Sequence, residues 1–161
     1  MPRRIRSRPL SAWRDPEVVF LARFAEAPYV VWLDGGADAV SGVSVIAAAH
    51  AGSEFVTADA ARGTVTSSAP LAAGDVASTV AASVFDVLAG RLPHAGPGAP
   101  SRADDARGLG EAPLGWFGWF GYELGARLND VAASAAETPD AAFLFVDRAI
   151  VFDHGARTVR L

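Results

Sequence analysis

The side chains best suited to chemistry are scattered along this chain. Its three histidines, His50, His94 and His154, are far apart, and none sits in an HExxH or other compact ligand spacing, so they predict no zinc site. Asp153-His154 resembles an acid–base pair, but neighbours on a strand point to opposite faces, and a turn after Phe152 accounts for both. Asp104 and Asp105 have no third ligand nearby. Ser41, Ser44, Ser53, Ser67 and Ser68 offer hydroxyls, yet none occupies the GxSxG elbow of a serine hydrolase. Glu123 and Arg127 are spaced to pair on a helix beginning after Tyr122, for about 0.3 kcal/mol. Cysteine is absent, which removes thiolate nucleophiles, thiolate metal sites and disulfides. By residue type and spacing the chain predicts no catalytic residue, no bound cofactor and no metal.

Composition narrows the partners. The 161 residues suffice for one ordinary domain with a single core. Apolar residues make up 51% of the chain, much of it alanine, and 14 basic against 18 acidic groups leave a net charge of -4. That balance gives no footprint for nucleic acid or an anionic membrane. All the basic residues are arginine. Arg3, Arg4, Arg6 and Arg8 crowd the N-terminus without the apolar core of a signal peptide, and are read as a solvated first strand. No apolar run approaches the roughly 20 residues that span a bilayer. A cytoplasmic protein is expected.

The elements that would position any site follow from local patterning. Residues 4–8 alternate weakly and predict an edge strand ending at Pro9. Asp15, Pro16 and Glu17 form a helix start, with Val18, Leu21, Ala22 and Ala25 on one face and Phe20 and Phe24 widening it. Tyr29–Leu33 reads as a strand stopped by Asp34-Gly35-Gly36, and Val43–Ala48, Glu54–Thr57 and Gly63–Ser67 as three more. Val76, Val80, Val84, Val87 and Leu88 recur at helical spacing behind a cap at Asp75. Residues 93–113 are rich in proline, glycine and small polar groups and read as a flexible loop. Strands at Trp116–Tyr122, Ala142–Val146, Arg148–Phe152 and Thr158–Arg160 complete an α+β chain with two main helices and mostly antiparallel strands.

One segment is distinctive. Leu114 to Glu123 sets aromatic rings between glycines at every third position, Gly115, Gly118 and Gly121. As a strand it is apolar on both faces, which predicts a central place in a sheet, its glycines admitting a close neighbour. A phosphate-cradling loop is not supported, since the spacing is neither GxGxxG nor GxxxxGK[ST] and no lysine exists.

The run Gly115-Trp116-Phe117-Gly118-Trp119-Phe120-Gly121-Tyr122-Glu123-Leu124-Gly125 resembles the glycine–aromatic segment in the N-terminal region of the large subunits of anthranilate synthase and aminodeoxychorismate synthase. Pro139 to His154 is similar to the strand pair that follows there, Tyr29 to Asp34 to an early strand, and Ser83–Leu88 with Arg91-Leu92 to the helix preceding the glycine–aromatic segment. The resemblance covers nearly the whole chain, and Trp32-Leu33-Asp34 with Pro139–His154 leans toward the aminodeoxychorismate branch, which supplies para-aminobenzoate for folate; anthranilate synthase, in tryptophan biosynthesis, is the alternative.

The resemblance implies an incomplete portion of a sheet sandwich, residues 1–161, without the C-terminal chorismate-binding catalytic domain. The family's catalytic acid and base and its magnesium carboxylates belong to that domain, so none is carried over here. Implied partners are a glutamine amidotransferase subunit or a separate catalytic domain, which makes a stand-alone docking module the second expectation. Leu33, Asp34, Gly35 and Ser44 match a family amino-acid pocket in vestigial form. Tryptophan-binding members place a serine after the acidic residue where this chain has Gly35; the family's usual Ser-Arg-aromatic-Ser segment has an arginine where this chain has Gly42, and Ala47 replaces its closing glycine.

Overall fold

A computed structural model describes residues 6–36, 38–74, 76–92, 114–132 and 136–161. The expected loop at 93–113, with His94, Asp104 and Asp105, lies outside the described residues, as do Arg3, Arg4 and the expected cap Asp75. The chain divides into two compact units, each with its own core, where its length led us to expect one core.

The first unit begins with α1 (Pro16–Arg23), whose start follows the sequence: the Asp15 side chain accepts the Glu17 N–H at 2.9 Å and Pro16 fills the first turn. Its buried face differs from expectation. Val18, Leu21, Ala22 and Ala25 are exposed, and Val19, Phe20 and Phe24 face the core instead. Rings decide the rotation, because Phe20 stacks on Trp32 with centroids 4.6 Å apart and buries more area than valine and alanine would. The helix lies on a four-stranded antiparallel sheet formed by β1 (Val30–Leu33), β2 (Val43–Ala48), β8 (Ile150–Asp153) and β9 (Thr158–Arg160), in the order β1-β2-β8-β9. Ile46 and Phe152 are fully enclosed at its centre, each contributing about 1.5–3 kcal/mol.

Of the expected N-terminal edge strand, the described residues pair from Arg8 onward. Arg8 and Leu161 exchange backbone hydrogen bonds at 2.7 and 2.9 Å, and Leu10 N–H donates to Val159, so pairing runs through Pro9 instead of stopping at it. Proline is tolerated because this segment forms an edge, where its missing N–H costs no ladder bond.

The second unit holds β3 (Phe55–Asp59), β4 (Thr64–Ser68), β5 (Ala77–Ala81), β6 (Gly115–Phe120) and β7 (Ala141–Val146), with sheet order β5-β4-β3-β7-β6. Helices α2 (Val84–Arg91) and α3 (Tyr122–Leu128) contribute Val84, Leu88 and Leu124 to a core shared with Val56, Val65 and Phe143.

Two sequence expectations fail in this unit. The valine repeat from Val76 is not one helix: Ala77–Ala81 is β5, with Val80 opposite Val65, and the helix starts only after Ser83, whose hydroxyl accepts the Phe85 N–H. Local β-preference at Thr79-Val80 and a capping serine override the coincidental helical spacing. The glycine–aromatic strand β6 is also at the edge of its sheet instead of the middle; the nearly continuously buried strand is β7. Its glycines act as expected. A methyl group on Gly118 would collide with the Ala142 carbonyl oxygen and come within 2.7 Å of Phe143 Cα, so only glycine allows β6 to lie this close to β7. The α+β class with antiparallel pairing stands, with three short helices among the described residues.

Candidate functional site

Antiparallel register brings three sequence-distant groups together at one end of the first unit. Leu33 pairs with Val45, which sets Asp34, just beyond β1, beside Ser44 of β2. Ser44 in turn pairs with Phe152, and the His154 N–H donates to the Gly42 carbonyl at 3.1 Å, so the histidine follows β8 to the same place. Gly42 adopts φ +80°, where an arginine would be strained, a local reason for the departure from the family pattern.

The Ser44 hydroxyl is the hub. It is fully buried, accepts the Gly35 N–H at 2.8 Å, lies 2.8 Å from His154 Nε2 and donates to Asp34 Oδ1 at 3.3 Å. A serine oxygen has one proton and two acceptor sites. With its proton directed to the Asp34 carboxylate, both acceptor sites are filled when His154 carries its proton on Nε2. All three contacts are then satisfied. In that tautomer the order of donation is histidine to serine to aspartate. The hydroxyl thereby ties the ends of β1, β2 and β8 together.

Rings enclose its inner side. Trp13 meets His154 edge-on with centroids 5.5 Å apart, also contacts Phe152, and is covered by the Arg157 guanidinium 4.3 Å from its centroid. On the outer side Asp34 and Gly35 are exposed, leaving a carboxylate at the rim. A methyl group at Gly35 would lie 3.1 Å from His154 Nε2 and 3.3 Å from Ser44 Oγ. The histidine–serine pair therefore crowds the space a larger residue at position 35 would need.

The structure thus brings together Asp34, Gly35 and Ser44 of the four expected pocket residues. Leu33 is separate: strand alternation turns it away from Trp32 and Asp34, and its side chain is exposed. His154 and Trp13 were not in the expected set. The turn assigned to Asp153-His154 is present, with Asp153 accepting the Ala156 N–H at 2.8 Å, but His154 also points inward to Ser44.

The remaining candidates have structural roles. His50 Nδ1 accepts the Gly52 N–H in a turn, and Ser53 Oγ accepts the His50 N–H. Ser67 accepts from Arg91, which also pairs with Glu54 at 2.7 Å. Ser68 donates weakly to the Phe55 carbonyl, and Ser41 is exposed. The sequence-spaced pair Glu123 and Arg127 makes no ion pair, although α3 forms where expected. Among the described residues no three histidine or acidic side chains come together to hold a metal, and no helix is long and apolar enough to cross a membrane.

No protein-family profile matches the chain. Among curated proteins, it is similar to the aminodeoxychorismate synthase of Streptomyces griseus, with 33% identity over 171 residues covering 99% of this chain and 21% of the relative. The aminodeoxychorismate synthase of Streptomyces pristinaespiralis is 32% identical over 157 residues, covering 94% of this chain and 20% of that protein. The chain spans about a fifth of the length of these relatives. Both names agree with the branch suggested by Trp32-Leu33-Asp34 and the Pro139–His154 segment.

Proposed function

We propose that this chain, a homologue of aminodeoxychorismate synthase over nearly its whole length, is the non-catalytic N-terminal scaffold of a chorismate-aminating synthase that serves para-aminobenzoate and folate synthesis. The observation that carries the reading is a match covering 99% of this chain but only 21% of the relative, coupled with a polar network built for positioning. In this reading chorismate, magnesium and the reacting groups belong to the remaining part of the enzyme, a glutamine amidotransferase subunit supplies ammonia, and the setting is cytoplasmic. We assign magnesium to no residue of this chain.

The test is direct. Purified chain incubated with chorismate, ammonium and magnesium is expected to form no aminated product by chromatography, while supplying the other four-fifths of a relative, separately expressed, restores product only when the two associate. Turnover by the chain alone would overturn the assignment.

A second reading, a stand-alone docking module for a glutaminase or a separate catalytic half, is favoured by one feature of the second unit. Strand β6 ends its sheet with Trp119 and Phe120 about half exposed. Calorimetry against each candidate partner decides it, and absence of heat with both would remove it.

Asp34, Gly35 and Ser44 are read as the remains of an amino-acid pocket. Crowding at Gly35 supports loss of ligand, so tryptophan is expected to leave the melting temperature unchanged. A saturable upward shift would restore a sensor role.

A further inference from the structure

Asp34-Gly35 is the chain's one Asp-Gly step, and its local setting favours a spontaneous rearrangement of the backbone. Both residues are exposed, Gly35 has no side chain to hinder attack by its nitrogen, and Gly36 follows at φ +98° in the turn beyond β1. In such a step the amide nitrogen after an aspartate attacks the side-chain carboxyl carbon. The Gly35 N–Cγ bond forms, the Cγ–O bond of the protonated carboxyl breaks, and water leaves with the amide proton. Water then opens the succinimide ring at either carbonyl, restoring aspartate or rerouting the main chain through Cγ as isoaspartate. Nothing is oxidised or reduced, and the water lost is regained.

The fold opposes this reaction at its first step. The Gly35 N–H donates to Ser44 Oγ at 2.8 Å, and the same hydroxyl donates to Asp34 Oδ1 at 3.3 Å. The attacking nitrogen and the carboxyl it would attack are thus both tethered to one side chain. That side chain has no exposed surface, belongs to β2 and pairs with Phe152 of β8, so the tether is anchored in the sheet. Ring closure requires the nitrogen to give up its proton and turn toward Cγ, which costs the bond to Ser44. The serine proton is directed to the carboxylate, so the oxygen presents lone pairs to Gly35 and stabilises the intact amide over its anion. Water can satisfy the same N–H, but it does not hold the nitrogen in place.

We propose that Asp34-Gly35 is a latent isoaspartate site, kept silent by the Ser44 hydroxyl because it holds the Gly35 nitrogen away from the Asp34 carboxyl. Rearrangement would insert a methylene into the main chain at the end of β1 and consume the carboxylate at the rim. The serine therefore guards the covalent structure of the chain as well as its strand ends.

The test is an ageing experiment on the folded chain at neutral pH. The tryptic peptide Phe24–Arg62 is followed by chromatography and mass spectrometry for succinimide and isoaspartate at Asp34, with Asp38 and Asp59 in the same peptide as internal references. Ser44→Ala is expected to raise the rate at Asp34 about tenfold, the factor commanded by one ordinary hydrogen bond, and to leave the two references unchanged. His154→Gln removes the other partner of Ser44 but leaves its hydroxyl for Gly35, so it should stay near the parent rate. Circular dichroism establishes that each variant is folded. In the parent chain the Gly35 amide should resist deuterium exchange although its residue is exposed, a reading that depends on no variant. An unchanged or slower rate in folded Ser44→Ala, equal acceleration in His154→Gln, or an unprotected Gly35 amide overturns the proposal.

Discussion

Ser44 joins three neighbours through one hydroxyl, and its replacement separates positioning from catalysis. Ser44→Ala leaves the Gly35 N–H and the buried His154 Nε2 without their Ser44 partner. Gly35 is exposed and can bond water, so the histidine dominates the cost. We expect a loss of about 1–3 kcal/mol in urea unfolding, the penalty of an unmatched buried polar group. An unchanged midpoint would mean that the network is not holding the strand ends. Asp59 provides a second residue-scale test, in pH. Its carboxyl is held low first by the Arg62 N–H and then by the Arg62 side chain. A depressed folded value means stability present above the unfolded pKa, about 3.9, and lost as pH falls through the lower folded value. Arg62→Ala keeps the N–H, so NMR titration should show the Asp59 midpoint rising yet staying below the ordinary value. A full return would assign the whole effect to the guanidinium.

At the scale of elements, Gly118 offers the sharpest test. A methyl group there meets backbone atoms of β7, which have no rotamer with which to move aside. Gly118→Ala should cost about 3 kcal/mol, the upper range for overpacking, with the loss of amide protection concentrated in β6. Protection lost evenly through the second unit would count against a local clash. The element also shows where sequence reading succeeds and where it stops. The glycine spacing revealed close approach, because that is a property of the strand itself. It did not reveal an edge position, because Gly-Trp-Phe-Gly-Trp-Phe is as apolar as an interior strand and only pairing through β7 decides its place. Val76–Val80 misled for a related reason: five residues fit both helical and strand spacing, and the partner Val65 resolved them. His154 was illegible as a site residue since its contact with Ser44 spans 110 positions and depends on the β2–β8 register. Asp34, Gly35 and Ser44, nearer in sequence and matched by family resemblance, were grouped from the sequence and do lie in contact.

For the molecule as a whole, the two ends of the second unit's sheet differ in a way that predicts behaviour in solution. The edge strand β5 carries small residues, alanine, serine and threonine, with one exposed valine, Val80, and Thr79 hydrogen-bonded to Thr66 at 2.8 Å across the pair. Neither edge carries charge, but the opposite one, β6, presents large rings, leaving Trp119 44% exposed and Phe120 50% exposed, followed by Tyr122 at 88%. Edge strands are ordinarily protected from pairing by charge, proline or a bulge, and an apolar edge invites another chain. The purified chain is therefore expected to associate as its concentration rises, at β6 and not at β5. Trp119→Lys places a charge on that edge without opening a buried cavity, because the tryptophan is already substantially exposed. It should reduce association in sedimentation velocity while leaving the circular dichroism spectrum intact; Thr79→Lys on β5 should change association little. If the two variants reduce association equally, general repulsion is responsible and β6 is not the contact. If Trp119→Lys alone acts, β6 is the surface to test for coupling to the part of the Streptomyces griseus relative that this chain does not match.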